Sequence, residues 1–275
     1  MKETTYTVKI PAILALLGDL HGRPYQQAIA SLQKNKPQII AIAGDIVYGH
    51  QPEDDISPLV SQPYILPFLE HCAAIAPTFL SLGNHEWMLD EQDLKQIGNT
   101  GVILLDNSWV THNDIVLGGL TPAVVTDYRQ YRLAHPNQNR RYPVRRQTDP
   151  DEPKKARPAP DLSWLPAYRE TPGFHILLSH HPEYYPRIPK NIDLILSCHA
   201  HGGQWRFYNP IKRQSQGLYA PGQGFFPRWT KGIYDNRLIV SAGLANTAPA
   251  PRFFNPTEIV YIKPETLSKA KTEQR

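Results

Sequence analysis

Two cysteines in 275 residues, Cys72 and Cys198, leave nothing from which to build a disulfide framework or a cysteine-rich structural zinc site. Both are expected to be reduced, as in a cytoplasmic protein. Long hydrophobic runs are also missing. The apolar stretch over residues 10–17 is too short to span a bilayer. It leads straight into Gly18-Asp19, so a cleaved signal peptide would remove the first chemically informative motif. The expected location is therefore the cytoplasm. There is no Gly-x-x-x-x-Gly-Lys loop and no dinucleotide fingerprint, so nucleotide cofactors are not implied. No internal repeat is visible, which excludes a solenoid. Nor is one sign of charge in large surplus: 29 Lys and Arg against 25 Asp and Glu give +4. That balance favours anionic substrates without demanding nucleic acid.

Proline, by contrast, is abundant at 27 residues and calls for long irregular loops, while an apolar fraction of 41% still permits a sizeable core. Residues 13–17, 38–43, 78–82, 174–179 and 192–197 read as buried strands, with later strands at 237–241 and 258–262. Helical spacing runs over 24–34, 64–75 and 91–97. Shorter strands at 102–105, 109–111 and 115–117 either continue the first sheet or begin a second. The alternation is that of an α/β protein, whose sites lie beyond the carboxyl ends of its strands. Residues 217–232, rich in glycine and aromatics, read as an irregular loop near such a site.

We read 1–275 as one domain interrupted by a basic, proline-rich insertion at about 128–160. That stretch holds nine Arg or Lys against three acids and almost no aliphatics, so it is expected to be an exposed, mobile loop that builds no core. It is either a solvated lid or a basic rim that attracts a phosphorylated or nucleic-acid ligand.

Five short motifs follow the apolar runs: Gly18-Asp19-Leu20-His21, Gly44-Asp45, Gly83-Asn84-His85-Glu86, His180-His181 and His199-Ala200-His201-Gly202-Gly203. Asp19 and His21 alternate along a segment read as extended, so both can reach one metal. Asp45 has two oxygens and can bridge a metal pair. Asn84 offers a neutral carbonyl oxygen, and His180, His199 and His201 offer imidazole nitrogens. This mixed oxygen and nitrogen set suits Mn, Fe or Zn. Each motif alone is an ordinary turn or a local hydrogen-bonded pair. Their ordered combination at strand ends points to two metals and to metal-assisted hydrolysis of a phosphoester.

The motifs GDLHG at 18–22, GD at 44–45, GNHE at 83–86, SHHP at 179–182 and CHAHGGQ at 198–204 resemble those of the calcineurin-like metallophosphoesterase superfamily, over roughly residues 12–262. The HGGQ ending, Gly217-Leu218-Tyr219 and RFFNPTEI at 252–259 are similar to its bacterial YkuE- and YaeI-like phosphodiesterase branch. The basic segment has no counterpart there. The resemblance implies an α/β fold, a two-sheet sandwich flanked by helices with a dinuclear site at the carboxyl ends of its strands. It implies two divalent or mixed-valence ions: one held by Asp19, His21 and His201, the other by Asn84, His180 and His199, with Asp45 bridging. His85 is then not a ligand but a catalytic residue that contacts the phosphate or protonates the leaving oxygen. Cys198 stands where the family usually has glycine, and is expected to be a small buried hydrophobe.

The resulting expectation is a dinuclear-metal phosphodiesterase that attacks phosphorus with a metal-activated water or hydroxide. Its partner would be a phosphorylated small molecule or a lipid-linked substrate. The alternatives are a phosphomonoesterase, protein phosphatases included, a nuclease, or a metal-bound binding protein without turnover. Several residues have two readings. Trp205, Arg206, Phe207, Arg228 and Trp229 either line the substrate mouth or pack ordinary loops. Arg252 either meets phosphate or serves its loop. Glu86 either orients a ligand histidine or caps the turn after it. His181 lines the pocket or supports it, while His112 and His175 are expected to be structural.

Overall fold

The computed structural model describes residues 1–49, 56–136, 159–210, 213–246 and 251–265. In chain order the strands are β1 Lys2–Val8, β2 Leu14–Leu17, β3 Ile39–Ala43, β4 Thr78–Ser81, β5 Ile103–Leu105, β6 Ser108–His112, β7 Ile115–Leu120, β8 Phe174–Ser179, β9 Leu194–Ser197, β10 Arg206–Asn209, β11 Gln214–Gly217, β12 Tyr219–Ala220, β13 Gly224–Phe225, β14 Gly232–Tyr234, β15 Leu238–Val240 and β16 Glu258–Pro264. The helices are α1 Gln26–Asn35, α2 Pro58–Ser61, α3 Ile65–Ile75, α4 Glu91–Asn99, α5 Ala123–Ala134 and α6 Leu165–Glu170.

Two six-stranded mixed sheets result, with orders β1-β16-β2-β3-β4-β5 and β14-β15-β9-β8-β7-β6. The first sheet therefore continues through β5, and the second begins at the β6–β7 hairpin. β2 through β5 are parallel, as are β7, β8, β9 and β15. Buried parallel strands need apolar residues on both faces. The runs Leu-Ala-Leu-Leu of β2 and Ile-Ile-Ala-Ile-Ala of β3 satisfy this, being buried throughout.

Their alternation divides the core. Leu14, Leu16, Ile39 and Ala41 point between the sheets, where Ile176, Leu178, Leu194 and Leu196 meet them from the second sheet. Ala15, Leu17, Ile40 and Ile42 point the other way, toward the stripe Ile65, Phe68, Leu69 and Cys72 of α3. Leu177 and Ile195 face outward from the second sheet, toward Leu165 and Tyr168 of α6. Each such leucine, isoleucine or phenylalanine contributes about 1.5–3 kcal/mol by leaving water. The layering is the expected two-sheet sandwich flanked by helices.

α5 corrects one boundary. The basic segment read as coreless from residue 128 begins inside a helix, with Tyr128 and Tyr131 buried. Tyr128 stacks on Trp87 with ring centroids 4.4 Å apart, and Arg132 donates to the carbonyls of Trp87 and Leu89. α5 thus braces the short 3-10 turn His85–Met88. The remainder of the insertion, 137–158, lies outside the described residues. Among the described residues no helix is long and apolar enough to cross a membrane.

Candidate metal centre

All five motifs converge where β2, β3, β4, β8 and β9 end. The first two loops stay laced together after their strands stop. Asp19 N–H donates to Gly44 O at 3.0 Å, His21 N–H to Asp45 O at 3.0 Å, and Gly22 N–H to Ile46 O at 2.8 Å. The second sheet ties in likewise, with Cys198 N–H donating to His180 O at 3.1 Å. The third loop fits because Gly44, at φ 78°, faces Gly83 so closely that a Cβ there would lie 2.3 Å from the Gly83 nitrogen.

Backbone conformation turns the side chains inward. Asp19 (φ 51°), His21 (51°), Asp45 (52°), His199 (62°) and His201 (45°) all adopt the left-handed region, which side chains with a Cβ disfavour. The extended alternation expected for Asp19 and His21 is therefore corrected. Each kinks out of the strand line, and the pair converges with His21 Nε2 4.0 Å from Asp19 Oδ1.

Two groups of donor atoms lie within 4.8 Å of one another: Asp19 with His21 and His201, and Asp45 with His180 and His199. Asp45 sits between them. Its Oδ2 is 3.1 Å from His180 Nε2, 3.9 Å from His21 Nε2 and 3.7 Å from His85 Nε2, whereas Oδ1 accepts the His85 backbone N–H at 2.8 Å. One oxygen, not two, thus faces both groups. His85 forms a further group with His21 and Asp45, and with 28% of its side chain accessible it is the most open imidazole of the site.

The donor set fits a cation pair. Asp19 Oδ2, His21 Nε2 and Asn84 Oδ1 are buried without a hydrogen-bond partner, which is costly unless something else satisfies them. These three belong to the expected ligand set; His181 Nε2 and Glu183 Oε2, likewise buried and unpartnered, do not. The tautomers agree: His21 Nδ1 contacts Val47 O at 3.3 Å and His180 Nδ1 contacts Ala43 O at 2.6 Å. A carbonyl only accepts, so Nδ1 carries a proton in both rings and it is Nε2 that points inward.

The electrostatics are tightly opposed. Burial drives the His21 and His199 imidazoles well below their ordinary pKa, and lowers His201 as well. Burial would discharge His180 too, but the Asp45 and Asp19 carboxylates override it and push that ring up to about 10. Burial would raise Asp45, yet the surrounding imidazoles, His180 foremost, hold it well below the usual carboxylate range.

Two carboxylates matter more than the sequence reading allowed. Glu86 neither orients a histidine nor caps its own turn. Its Oε1 accepts from the N–H groups of Ile46 and Val47, and its Oε2 from those of Asp45 and Gly83. One buried side chain so clamps the second loop to the third. Burial and the Asp45 charge push Glu86 up to about 7, opposed by the N–H donors. Glu183 was not singled out at all. It sits 2.8 Å from His181 Nδ1 and 3.7 Å from His199 Nε2, and the three form another close donor group. Its only sequence signal is its place just past the histidine pair.

Other expectations resolve to structure. Arg252 donates to the carbonyls of Ala242 and Ala245 and lies 2.9 Å from His201 Nδ1, so it serves its loop and the histidine. Arg206 binds Gly202 O, Thr230 Oγ1 and Ser215. His175 bonds Tyr168 O, and His112 packs edge-on against Phe79. Cys198 is fully buried, as expected, with burial raising its thiol pKa well above the ordinary value. It fits because Gly18 lacks a Cβ, which would stand 2.5 Å from the sulfur.

Residues 13–203 match the family profile described as calcineurin-like phosphoesterase. An uncharacterised metallophosphoesterase of Campylobacter jejuni is 26% identical over 89% of this chain and 55% of its own length. Another, of Helicobacter pylori, is 24% identical over 91% of this chain and 59% of its own. The chain thus spans little more than half the length of these relatives. The crystal structure of a cold-active protein-tyrosine phosphatase from a psychrophilic Shewanella aligns with 86% of this chain and 72% of its own. The identity is 13% and the TM-score 0.31, too slight a likeness to bear on fold or substrate.

Proposed function

Starting from a chain that belongs to the calcineurin-like phosphoesterase family, we propose a dinuclear-metal-dependent phosphoesterase that prefers phosphodiesters. The observation that carries it is the convergence of His21 Nε2 and His180 Nε2 on the inward-facing Asp45 Oδ2, with both rings also about 4 Å from the Asp19 carboxylate. Asp19, His21 and His201 would hold one ion, and Asn84, His180 and His199 the other, with Asp45 shared. When bound, such a pair supplies Lewis acidity toward phosphoryl oxygens and lowers the pKa of water.

The chain's own groups supply the rest. His85 stands at the open side, and its ring is placed to give a proton to the departing alkoxide. Its backbone N–H fixes the Asp45 carboxylate, so one residue links proton delivery to the alignment of the shared ligand. The preference for diesters has two supports. The HGGQ ending resembles the YkuE- and YaeI-like branch. Moreover, both arginines that touch the His201 loop are committed to carbonyls and hydroxyls, which favours a singly charged diester over a dianionic monoester.

The test is elemental analysis together with hydrolysis of bis-p-nitrophenyl phosphate and p-nitrophenyl phosphate, for the parent and Asp45→Asn. The parent is expected to bind about two ions per chain and to favour the diester. Asp45→Asn is expected to weaken both ions and reduce turnover by about 10²-fold or more. Faster monoester cleavage would reverse the preference within the same chemistry. Two bound ions without hydrolysis of either ester would leave a metal-bound binding protein.

A further inference from the structure

From the loops beside the metal centre, we infer that the face formed by β10 to β13 and residues 253–254 docks the protein onto an anionic phospholipid surface. Docking there depends on that face alone and not on the reaction proposed above.

The aromatics of this face form one strip. Trp205 meets Phe253 at 6.1 Å between ring centroids, Phe207 meets Phe226 at 6.2 Å, and Tyr219 meets Phe225 at 5.4 Å. Trp205 and Phe207 are two residues apart entering and along β10, and Phe225 and Phe226 are neighbours, which joins the three pairs. These rings are not core. Phe225 is 72% exposed, Phe226 61%, Phe253 54% and Phe254 89%, so two Phe-Phe dipeptides stand in water at loop tips. An apolar cluster of this kind marks an interaction surface.

Charge selects the partner. No Asp or Glu occurs from residue 194 to residue 234, and Arg213 and Arg228 are exposed within that span. Phenylalanine tips flanked by arginine, with Trp and Tyr behind them, match an interface where apolar rings enter the acyl boundary and cations meet phosphate headgroups. A single-stranded nucleic acid would need open ring faces for stacking. Here the paired rings stand edge to face, with interplanar angles of 71°, 88° and 64°, so no pair offers two parallel faces for successive bases.

The strip is fastened to the metal-ligand loop. Leu218 N–H donates to Gly203 O at 3.1 Å and to Trp205 O at 2.8 Å, while Asn255 donates to His201 O at 2.7 Å. A membrane held by these tips would therefore lie next to the site.

The experiment is flotation of the metal-loaded protein with vesicles of phosphatidylcholine alone or with added phosphatidylglycerol. The parent is expected to float with the anionic vesicles and much less with the neutral ones. The variant F225S/F226S/F253S/F254S should lose binding by more than about tenfold, with bis-p-nitrophenyl phosphate hydrolysis and melting temperature unchanged. The single variant F254S, at the most exposed ring, guards against misfolding and should weaken flotation alone. R213S/R228S should erase the preference for anionic vesicles. A parent that does not float, or a quadruple variant that floats equally well, overturns the inference. So does a parent dimer that these substitutions convert to monomer, or an oligonucleotide that binds in place of vesicles.

Discussion

At the scale of single residues, the site depends on groups held where they would not rest alone. Asp19, His21, Asp45, His199 and His201 adopt left-handed backbone, at about 1 kcal/mol or more each. The surrounding bonds must offset that strain, and Glu86 supplies four of them. Glu86→Gln keeps the shape but turns an amide donor toward buried N–H donors. We expect a stability loss of about 2–3 kcal/mol and metal affinity about 10–100-fold weaker. Urea denaturation and calorimetric titration with zinc measure the two effects. A variant with parental values in both would remove Glu86 from the account. The clustering of the candidate ligands was legible because each motif sits at a strand end. The left-handed turns were not, since Asp19-Leu20-His21 reads equally well as extended chain. Glu86 and Glu183 were obscured for a similar reason: what they bind comes from other motifs, and nothing in their own neighbourhood names it.

At the scale of elements, the boundary between strand and loop places the chemistry. Gly44 shows how little room those loops leave. Gly44→Ala combines positive φ with a collision against the Gly83 backbone, whereas Gly224→Ala has φ 76° and nothing within 4 Å of the new Cβ. We expect Gly44→Ala to lose about 2–4 kcal/mol and most metal binding, and Gly224→Ala only about 1 kcal/mol with its metals retained. Thermal denaturation and elemental analysis decide, and equal losses in the two variants would mean that strain alone, without contact between the loops, sets the effect. The buried strands were legible from their unbroken apolar runs. α5 was not, because Arg129 and Arg132 make the segment read as solvated, whereas they bond to Asp106 and to the Trp87 and Leu89 carbonyls beside the buried pair Tyr128 and Tyr131. β1 was missed because its alternating polar residues lie along an edge of the first sheet.

At the scale of the whole molecule, the expected ligands come from both sheets: Asp19, Asp45 and Asn84 after strands of the first, His180, His199 and His201 after strands of the second. Bound ions would clasp the sandwich at one edge. Chelation should therefore lower the urea midpoint, and restoring metal to about 100-fold above its Kd should return roughly 2.7 kcal/mol per site. Asp45→Asn should respond far less. An identical midpoint with chelator and with metal would show that the centre contributes nothing to holding the sheets together.

The strand order β1-β16-β2 has a consequence for the making of the protein. β1 and β2 leave the ribosome well before β16, yet they never pair with each other; among the described strands, the one that joins them is made last. Until residue 264 has emerged, the first sheet has an open slot and two unmatched edges. Helices can form and the parallel strands can gather before then, but the sheet closes only once β16 is out, through contacts spanning some 250 residues. Such long-range closure is slow, so the nascent chain is most exposed to aggregation, and most in need of a chaperone, while β1 and β2 wait for β16.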